Sequence, residues 1–538
     1  MRKTFAGAMH GGLTLVPEGE SWRRSAISPT QRLGRLFILL ALAAGFTWQV
    51  RAELRLGTPF QDHAVLQRDR PLPVWGWARP GEPVRVTLGA GEEVSTRAGV
   101  DGRWQVTLPA RPASATPLEL TAEGGTQVVA RDILIGEVWL CSGQSNMEWR
   151  LRFAADATVD IAAADLPQIR QLKVARYPRA ERQEEAPAKW SVCSPASAGD
   201  FSAVGFHFAR RLWGALRVPV GLINCSHGNS PVEGWMSAET LAGDPAFKPV
   251  TDRWAEVLAR YPAAQAKHTE ALRRWEEKAA TERQSGRTPP APPAAPIGPN
   301  HQQEPSALFN GMIAPVRPFA VRGFLWYQGE GNARRAAEYE KLFGALIGQW
   351  RKDFLVPEAP FLWVQLPGLD RMPPTTTRED WIALREAQTA NLALPATGQA
   401  IKIDVGDPAD IHPVRKREVG ERLARLALHR VHGEPVLDRG PELVRASAAR
   451  GVIALEFEHT GGGLRLGGES VPAFEAAGAD GVFIEAARVE ILDGTRLRVH
   501  VPSIERPKVV RHAWRAYPRS WLINAEGLPA PPFSRAVP

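Results

Sequence analysis

Between residues 132 and 435, apolar segments with strand character alternate with helical stretches. Strands that alternate with helices along a chain pair as parallel sheets covered by helices on their faces. The alternation therefore predicts an α/β fold with a mostly parallel sheet. The strands are predicted at residues 133–141, 218–225, 323–328, 361–366 and 399–405, and the later helices at 336–353, 381–392 and 416–430.

The two flanks of this region have a different pattern. Residues 53–131 contain short β-rich segments separated by turns such as Pro80-Gly81, which predicts an N-terminal β-sandwich domain. Residues 436–538 are β-rich again. Within the central region, residues 251–305 combine a charged helical stretch with a proline-rich one, which indicates a surface insertion.

The N-terminal segment contains an apolar run at residues 36–48 that follows several arginines. This run is shorter than the ~20 residues that a membrane-spanning helix needs. It predicts a signal peptide over residues 1–52 and a periplasmic or secreted protein with no stable membrane association after cleavage. The alternative is an uncleaved N-terminal membrane anchor.

The formal net charge of +8 over 538 residues suggests a nucleic-acid partner at first sight. Without residues 1–52, however, the chain has 59 basic and 56 acidic residues, a net charge of +3, and no run of five basic residues. We therefore expect no nucleic-acid partner. Three cysteines without a C-x-x-C pair predict neither a zinc site nor a disulfide framework, and leave a bridge among Cys141, Cys193 and Cys225 open.

The strongest local signal follows the first strand of the predicted sheet, at residues 141–147. Ser145 lies there at a turn from strand to helix, where backbone N–H groups can stabilise an oxyanion. A serine nucleophile needs a general base, and His412 lies beyond another strand at the same predicted edge. Asp410 could orient the imidazole, with Asp407 and Asp404 as competitors. Taken alone, each segment is also compatible with an ordinary helix cap or turn.

Two further loops follow strands of the same sheet. Residues 326–332 contain Gln328 and Asn332, whose neutral amides can donate hydrogen bonds to an oxyanion, and also Glu330. Residues 227–235 contain Gly228 and Asn229, either of which can offer a backbone N–H. Four strand ends thus present Ser, Gly, Asn and Asp…His in this order, which favours a serine hydrolase site.

These motifs resemble those of the sialate O-acetylesterase family, within the SGNH hydrolase superfamily. The matching segments are residues 65–71, 74–77, 136–147, 308–315, 323–332, 410–413 and 524–533, so that the resemblance covers roughly residues 55–535. It implies a three-layer α/β/α domain with accessory β-domains and a metal-free serine mechanism without a cofactor. Two departures are visible: Ala409 stands where the superfamily usually places its acid, and Asn229 replaces a glycine of the family's loop.

The resemblance implies roles for individual residues. Ser145 would be the nucleophile, His412 the base and Asp410 the orienting acid. The oxyanion donors would be the Ser145 N–H with Gly228, Gln328 and Asn332, and the substrate-binding residues would be Gln144, Asn146, Glu330 and Trp235. With His412 as the base, we expect activity to rise through a pKa near 6.5.

The predicted function is removal of O-acetyl groups from a carbohydrate, with O-acetylated sialic acid as the favoured substrate. Acetylated xylan or oligosaccharide is the alternative sugar. A non-catalytic glycan-binding protein and a general lipase or protease are the alternatives from other classes, and the lack of a Gly-x-Ser-x-Gly motif disfavours the lipase. Trp235, Trp326 and Trp381 could stack on a sugar, although a buried core position is the commoner explanation for tryptophan. The oligomeric state cannot be predicted from these patterns.

Overall fold

The structure of the protein is a computed structural model that describes residues 53–91 and 93–538. The predicted signal peptide over residues 1–52 lies outside this range. Within the described residues, no helix combines the length and apolar character that crossing a membrane requires.

The centre of the fold is one large sheet, and its longest strand is β8 (Gln127–Gly143). The remaining strands of its central part are β9 (Leu166–Val174), β10 (Ala188–Cys193), β11 (Val220–Ser226), β12 (Gly323–Tyr327), β13 (Phe361–Val364) and β14 (Thr397–Ala400). Their order is β10-β9-β11-β8-β12-β13-β14, and all neighbours are parallel except β9 and β10. The prediction of a mostly parallel sheet is confirmed.

Helices cover both faces of this sheet. Those described are α1 (Ser145–Glu148), α2 (Ala157–Ala162), α3 (Ala203–Leu216), α4 (Ala238–Ala242), α5 (Lys248–Gln284), α6 (Ala336–Asp353), α7 (Arg378–Ala390) and α8 (Arg417–His432). Because successive side chains of a strand point to opposite faces, Phe324 and Trp326 of β12 pack with α6, whereas Leu325 and Tyr327 join the core under α3 and α8. This alternation of large buried side chains produces the α/β/α layering.

The N-terminal strands are β1 (Arg55–Leu56), β2 (Val65–Gln67), β3 (Leu72–Trp77), β4 (Pro83–Leu88), β5 (Glu93–Arg97), β6 (Arg103–Leu108) and β7 (Ser114–Glu123). Strands β1, β3 and β6 form a separate sheet, whereas β7 pairs with the first half of β8 and β11 with its second half. The predicted domain boundary after residue 131 thus falls inside a continuous strand, and it stays a prediction.

The C-terminal region consists of small antiparallel sheets around a core of its own. Its strands are β15 (Glu442–Ala449), β16 (Val452–Glu458), β17 (Leu464–Gly468), β18 (Phe474–Ala477), β19 (Phe483–Glu485), β20 (Arg488–Ile491), β21 (Arg496–His500), β22 (Val509–His512), β23 (Ser520–Asn524) and β24 (Phe533–Ala536). The β-rich regions predicted at both ends are present.

The predicted carboxyl ends of the strands differ from the observed ones, most of all in the last strand of the sheet. The strand expected over residues 399–405 ends at Ala400, and a 3₁₀ turn, Ile403–Val405, follows it. The neighbouring strand β13 ends at Val364, opposite Ala400, so that the backbone beyond Ala400 has no partner strand to pair with. The polar residues after this point therefore lie in loops at the carboxyl edge of the sheet.

Candidate active site

Ser145 lies at a sharp turn between β8 and α1. Gly143 has a φ of 128°, and a Cβ atom at this position would lie 2.2 Å from the carbonyl oxygen of Tyr327 on β12. Only glycine fits both constraints. The backbone N–H of Gln144 donates to the same carbonyl, at 3.0 Å. This turn places Ser145 as the first residue of α1, at the carboxyl edge of the sheet.

His412 lies in the loop that follows β14, at the same edge. Its Nε2 atom is 2.8 Å from Ser145 Oγ. The two residues are 267 positions apart in the chain, and the parallel pairing of the strands brings them together, since the carboxyl ends of parallel strands share one edge. A neutral imidazole at this distance can take the hydroxyl proton.

Asp410 is the nearest of the three candidate acids to His412, but its contact is loose. Its Oδ1 atom lies 3.6 Å from His412 Nδ1, and its side chain is 59% exposed. The same oxygen accepts the backbone N–H of His412 at 2.8 Å. The other two candidates are engaged elsewhere: Asp407 accepts N–H groups within its own loop, and Asp404 forms a two-bond ion pair with Arg422.

Trp149, which the sequence analysis did not single out, covers the histidine. Its indole ring stacks on the imidazole of His412 with 5.4 Å between ring centroids and an angle of 18° between planes. Burial lowers the pKa of His412 below 6.5, the nearby Lys416 lowers it further, and Asp410 opposes both. Trp149 lies only four residues after Ser145, but nothing in its sequence context indicates the stacking.

Asn146 connects the serine loop with the histidine loop. Its amide nitrogen donates to Glu330 Oε1 at 2.6 Å and to the carbonyl of Ile411, the residue before His412, at 3.0 Å. Its amide oxygen accepts a hydrogen bond from Lys416. In this structure Asn146 and Glu330, which were predicted to bind substrate, contact each other, and Asn146 links the serine loop to the loop of His412.

A buried basic pair lies beneath this network. Lys402 donates to the hydroxyl of Tyr327 at 2.6 Å, and Lys416 lies on α8's N-terminal side with its ammonium near the rings of Tyr327 and Trp149. Burial lowers the pKa of Lys402 to about 7 and that of Lys416 well below its usual value, while burial raises the pKa of Glu330. Sequence reasoning missed both lysines, because a lysine at a loop is ordinarily exposed.

Gly228, a predicted oxyanion donor, lies beside Ser145. A Cβ atom built on Gly228 would be 3.5 Å from Ser145 Cβ. Its backbone N–H donates to Glu148 Oε2 at 3.0 Å, and Glu148 in turn pairs with Arg176 through two bonds of 2.7 and 2.8 Å. The Gly228 amide thus already donates to an anionic oxygen in this structure.

Gln328 and Asn332 are fully buried, and their amides are used within the protein. Gln328 Nε2 donates to Ser230 and to Asn332, and Asn332 Nδ2 donates to Glu233. In this structure they tie neighbouring loops together instead of facing the serine, which corrects their predicted place as oxyanion donors. Gln144, predicted to bind substrate, accepts the N–H groups of Gly329 and Gly331 through Oε1.

The three tryptophans considered for sugar stacking are all in the core. Trp235, Trp326 and Trp381 have no exposed surface, and Trp235 packs edge-on against Trp326. The indole N–H of Trp235 donates to Ser230 Oγ at 3.0 Å. The assignment of Trp235 as a substrate-binding residue is therefore corrected to a core position.

The cysteines and the possible metal ligands complete the set of reactive side chains. Cys141, Cys193 and Cys225 are all buried free thiols. Residues 53–91 and 93–538 contain no group of three or more His, Cys, Asp or Glu side chains that could hold a metal ion.

Comparison with known proteins gives one family and several relatives. The family model described as carbohydrate esterase, sialic acid-specific acetylesterase matches residues 135–275 and 294–429, which include Ser145, His412 and the loops between them. The sialate O-acetylesterase of Homo sapiens is 27% identical over 530 residues, which are 89% of this chain and 92% of the relative. That of Mus musculus is 27% identical over 475 residues, 78% of this chain and 82% of the relative.

A solved structure is similar over nearly the same length. It is that of a carbohydrate acetylesterase from Xanthomonas citri, with 36% sequence identity and a TM-score of 0.74. The match covers 90% of this chain and 99% of the other. The similarity therefore extends beyond the central sheet to the flanking β-rich regions.

Proposed function

The chain belongs to the sialic acid-specific acetylesterase family of carbohydrate esterases, and from this premise we propose that it removes O-acetyl groups from carbohydrates through a serine acyl-enzyme mechanism. As a member of this family it is a carboxylic ester hydrolase. The observation that carries the mechanism is the 2.8 Å contact between Ser145 Oγ and His412 Nε2. It joins a nucleophile and a base at the carboxyl edge of a parallel sheet.

The first half-reaction forms an acetyl-enzyme. Ser145 Oγ attacks the carbonyl carbon of the acetyl ester while His412 Nε2 takes the hydroxyl proton. The tetrahedral intermediate collapses as His412 returns that proton to the sugar oxygen, which leaves with the C–O bond electrons. In the second half-reaction His412 Nε2 takes a proton from a water, whose oxygen attacks the acetyl carbon. The bond from that carbon to Ser145 Oγ then breaks, His412 returns the proton to Oγ, and acetic acid leaves and ionises to acetate.

The oxyanion of the intermediate needs preorganised donors. The N–H groups of the first turn of a helix have no partner inside the helix, so the Ser145 N–H at the start of α1 is available. The Gly228 N–H is the second donor, on condition that Glu148 releases it. Gln328 and Asn332 support this oxyanion hole indirectly, because their hydrogen bonds hold the loops around it. Asp410 is the third member of the triad, at 3.6 Å from His412.

We propose O-acetylated sialic acids as the substrate, because the mammalian relatives that match most of this chain bear that name. Acetylated xylo-oligosaccharides are the competing substrate class. The leader-like residues 1–52 support a periplasmic or secreted location, where glycans are accessible. Residues 53–131, 132–435 and 436–538 remain the proposed division into domains.

Acetate release tests this proposal. The mature protein is incubated with O-acetylated sialoglycans and, separately, with acetylated xylo-oligosaccharides, and free acetate is measured with time. We expect release from the sialoglycan and also from p-nitrophenyl acetate, which serves as a general ester substrate in a third incubation. Faster release from the xylo-oligosaccharide would move the substrate to that class. Binding of glycan without any acetate release would support a non-catalytic glycan-binding protein.

A further inference from the structure

A groove with a volume of about 210 Å³ lies next to the catalytic loops and has no part in the mechanism above. Its lining includes Asn229 and Gly331 from the loops at the sheet edge, Trp254 and Val257 from α5, and Ile297 and Gln303 from the segment after α5. The surface insertion predicted from the sequence thus forms one wall of a cavity.

Two residues that line the groove, Asn229 and Gly331, lie close to Ser145 or to its neighbour in the chain. Asn229 follows Gly228, whose Cβ position is 3.5 Å from Ser145 Cβ. Gly331 donates its N–H to Gln144, the residue before Ser145, at 3.2 Å. The loop from Gly228 to Asn229 therefore borders Ser145 on one side and the groove on the other.

The insertion is held firmly against the catalytic domain at this point. Arg253, next to Trp254 on α5, forms two hydrogen bonds of 2.8 and 2.7 Å with Glu338 on α6. Arg335 at the groove pairs with the buried Glu233 at 2.9 Å. These charge-assisted hydrogen bonds fix the wall of the groove.

The groove has both kinds of surface that a sugar ring requires. Trp254 and Val257 lie one turn apart on the same face of α5 and are half-buried, and Ile297 is 41% exposed, so these three residues give the groove an apolar part. Asn229 and Gln303 line the groove, and among the described residues no hydrogen bond joins either side-chain amide, so both can donate to and accept from hydroxyl groups. An aromatic face beside free amides suits a pyranose, which has an apolar face and a polar rim.

We propose that this groove is a subsite for a second sugar ring, joined to the ring whose acetyl ester lies at Ser145. The volume is below the ~300–1,000 Å³ of sites that enclose a drug-sized ligand, which fits a single ring. The inference rests on the proposed function and extends it: the substrate is an acetylated oligosaccharide or glycan and not a free monosaccharide.

The test compares an oligosaccharide with its monosaccharide, using the sugar that the native enzyme deacetylates faster: O-acetylated sialyllactose against free O-acetylated sialic acid, or acetylated xylobiose against acetylated xylose. We expect Trp254→Ala to raise KM for the oligosaccharide roughly ten-fold, relative to the monosaccharide, with little change in kcat. Trp254→Phe keeps a ring and restores most of the preference. Asn229→Gly, which tolerates the positive φ of 55°, lowers the same preference without straining the backbone.

Trp275→Ala is the matched control. Trp275 is half-buried on the same helix, about 30 Å along it from Trp254 at 1.5 Å per residue, and its indole N–H donates to Pro290. Its variant should keep the native preference. If Trp254→Ala and Asn229→Gly also keep it, the subsite does not exist. If the native protein releases acetate from no ester, p-nitrophenyl acetate included, the proposed function fails first, and this inference falls with it.

Discussion

His412 lies between groups that act on its charge in opposite directions. The ring of Trp149 and the nearby Lys416 favour the neutral imidazole, whereas Asp410 favours the charged one, and the net effect lowers the pKa of His412. A base with a lowered pKa is already unprotonated at a lower pH. With His412 as the proposed base, we therefore expect the rise of activity with pH to lie below pH 6.5, and not near 6.5 as expected from the sequence.

Removing the ring of Trp149 should shift the pH at which activity rises. Burial is the largest cause of the lowered pKa, so Trp149→Ala exposes the imidazole, raises its pKa and shifts the limb of kcat/KM to higher pH. Trp149→Phe keeps an aromatic cover and should shift it less. The measurement is kcat/KM for p-nitrophenyl acetate between about pH 4 and pH 9. A native limb above 6.5, or no shift in Trp149→Ala, would contradict the stacking account.

Asp410 should contribute less than the acid of a tight triad. Replacing a buried, hydrogen-bonded triad aspartate costs ~10⁴ in kcat. Because Asp410 is exposed and 3.6 Å from the imidazole, we expect Asp410→Asn to lose about ten-fold. The amide oxygen can still accept the His412 N–H, and loss of the negative charge should move the acid limb to lower pH. A loss near ~10⁴ would show that the contact tightens when substrate binds.

The sequence patterns predicted that Ser145 and His412 lie together, because each follows an apolar strand and parallel strands end at one edge of a sheet. The structure places the two side chains in contact. The same patterns misplaced residues whose role depends on side-chain direction. Gln328 and Asn332 lie at the predicted edge, but their amides turn into the protein. Lys416 could not be found at all, since its burial depends on contacts with Asn146, 270 positions away in the chain.

At the scale of elements, the strand-to-helix turn at Gly143 determines where Ser145, the proposed nucleophile, lies. We expect Gly143→Ala to destabilise the protein by about 2–4 kcal/mol, because its Cβ would collide with the Tyr327 carbonyl and its φ is unfavourable. Activity should fall with it, since the turn carries Ser145. The free energy of unfolding is measured by urea titration of variant and native protein.

Gly214→Ala serves as the control for this substitution. Gly214 lies exposed in α3, and no heavy atom would lie within 4 Å of an added Cβ. Alanine there should stabilise the protein by about 0.5–1 kcal/mol through its higher helix propensity. Equal effects of the two substitutions would contradict the steric role assigned to Gly143.

Most elements follow from periodicity alone. The helix expected over residues 336–353 is present as α6 with the same bounds, because its apolar positions recur at helical spacing and pack on β12 and β13. β14 is shorter than expected because strand length depends on the neighbouring strand, and the sequence of residues 399–405 contains no information about where β13 ends. Local pattern predicts an element's type better than its end.

At the scale of the whole molecule, the C-terminal sheets are docked on the catalytic part through buried polar groups. Arg385 of α7 donates to the carbonyls of Arg515 and Ala516, at 2.6 and 2.8 Å.

Within the C-terminal region, His512 Nε2 accepts the Leu522 N–H at 2.9 Å, and Nδ1 lies 3.2 Å from the Pro531 carbonyl. This pairing requires a neutral imidazole with its proton on Nδ1.

The protein should therefore lose stability in mild acid. Burial lowers the pKa of His512 to about 4, whereas the unfolded chain titrates near 6.5. Between these values the unfolded state binds more protons, so stability falls as pH falls from about 6.5 to 4, by up to about 3 kcal/mol from this residue. Urea midpoints at several pH values should show a shallower acid slope in His512→Gln than in the native protein. An identical slope would exclude His512 as the source.

The central claim is that Ser145 is the nucleophile of a carbohydrate deacetylase, and the rate of acetate release by Ser145→Ala tests it most directly. The native protein and the variant, matched for folding by circular dichroism, are given the same acetylated glycan. We expect kcat to fall by a factor on the order of 10³–10⁶, and the further substitution His412→Ala to cost little more, since the two residues act as a unit. Retention of native acetate release by the folded Ser145→Ala variant would contradict the account.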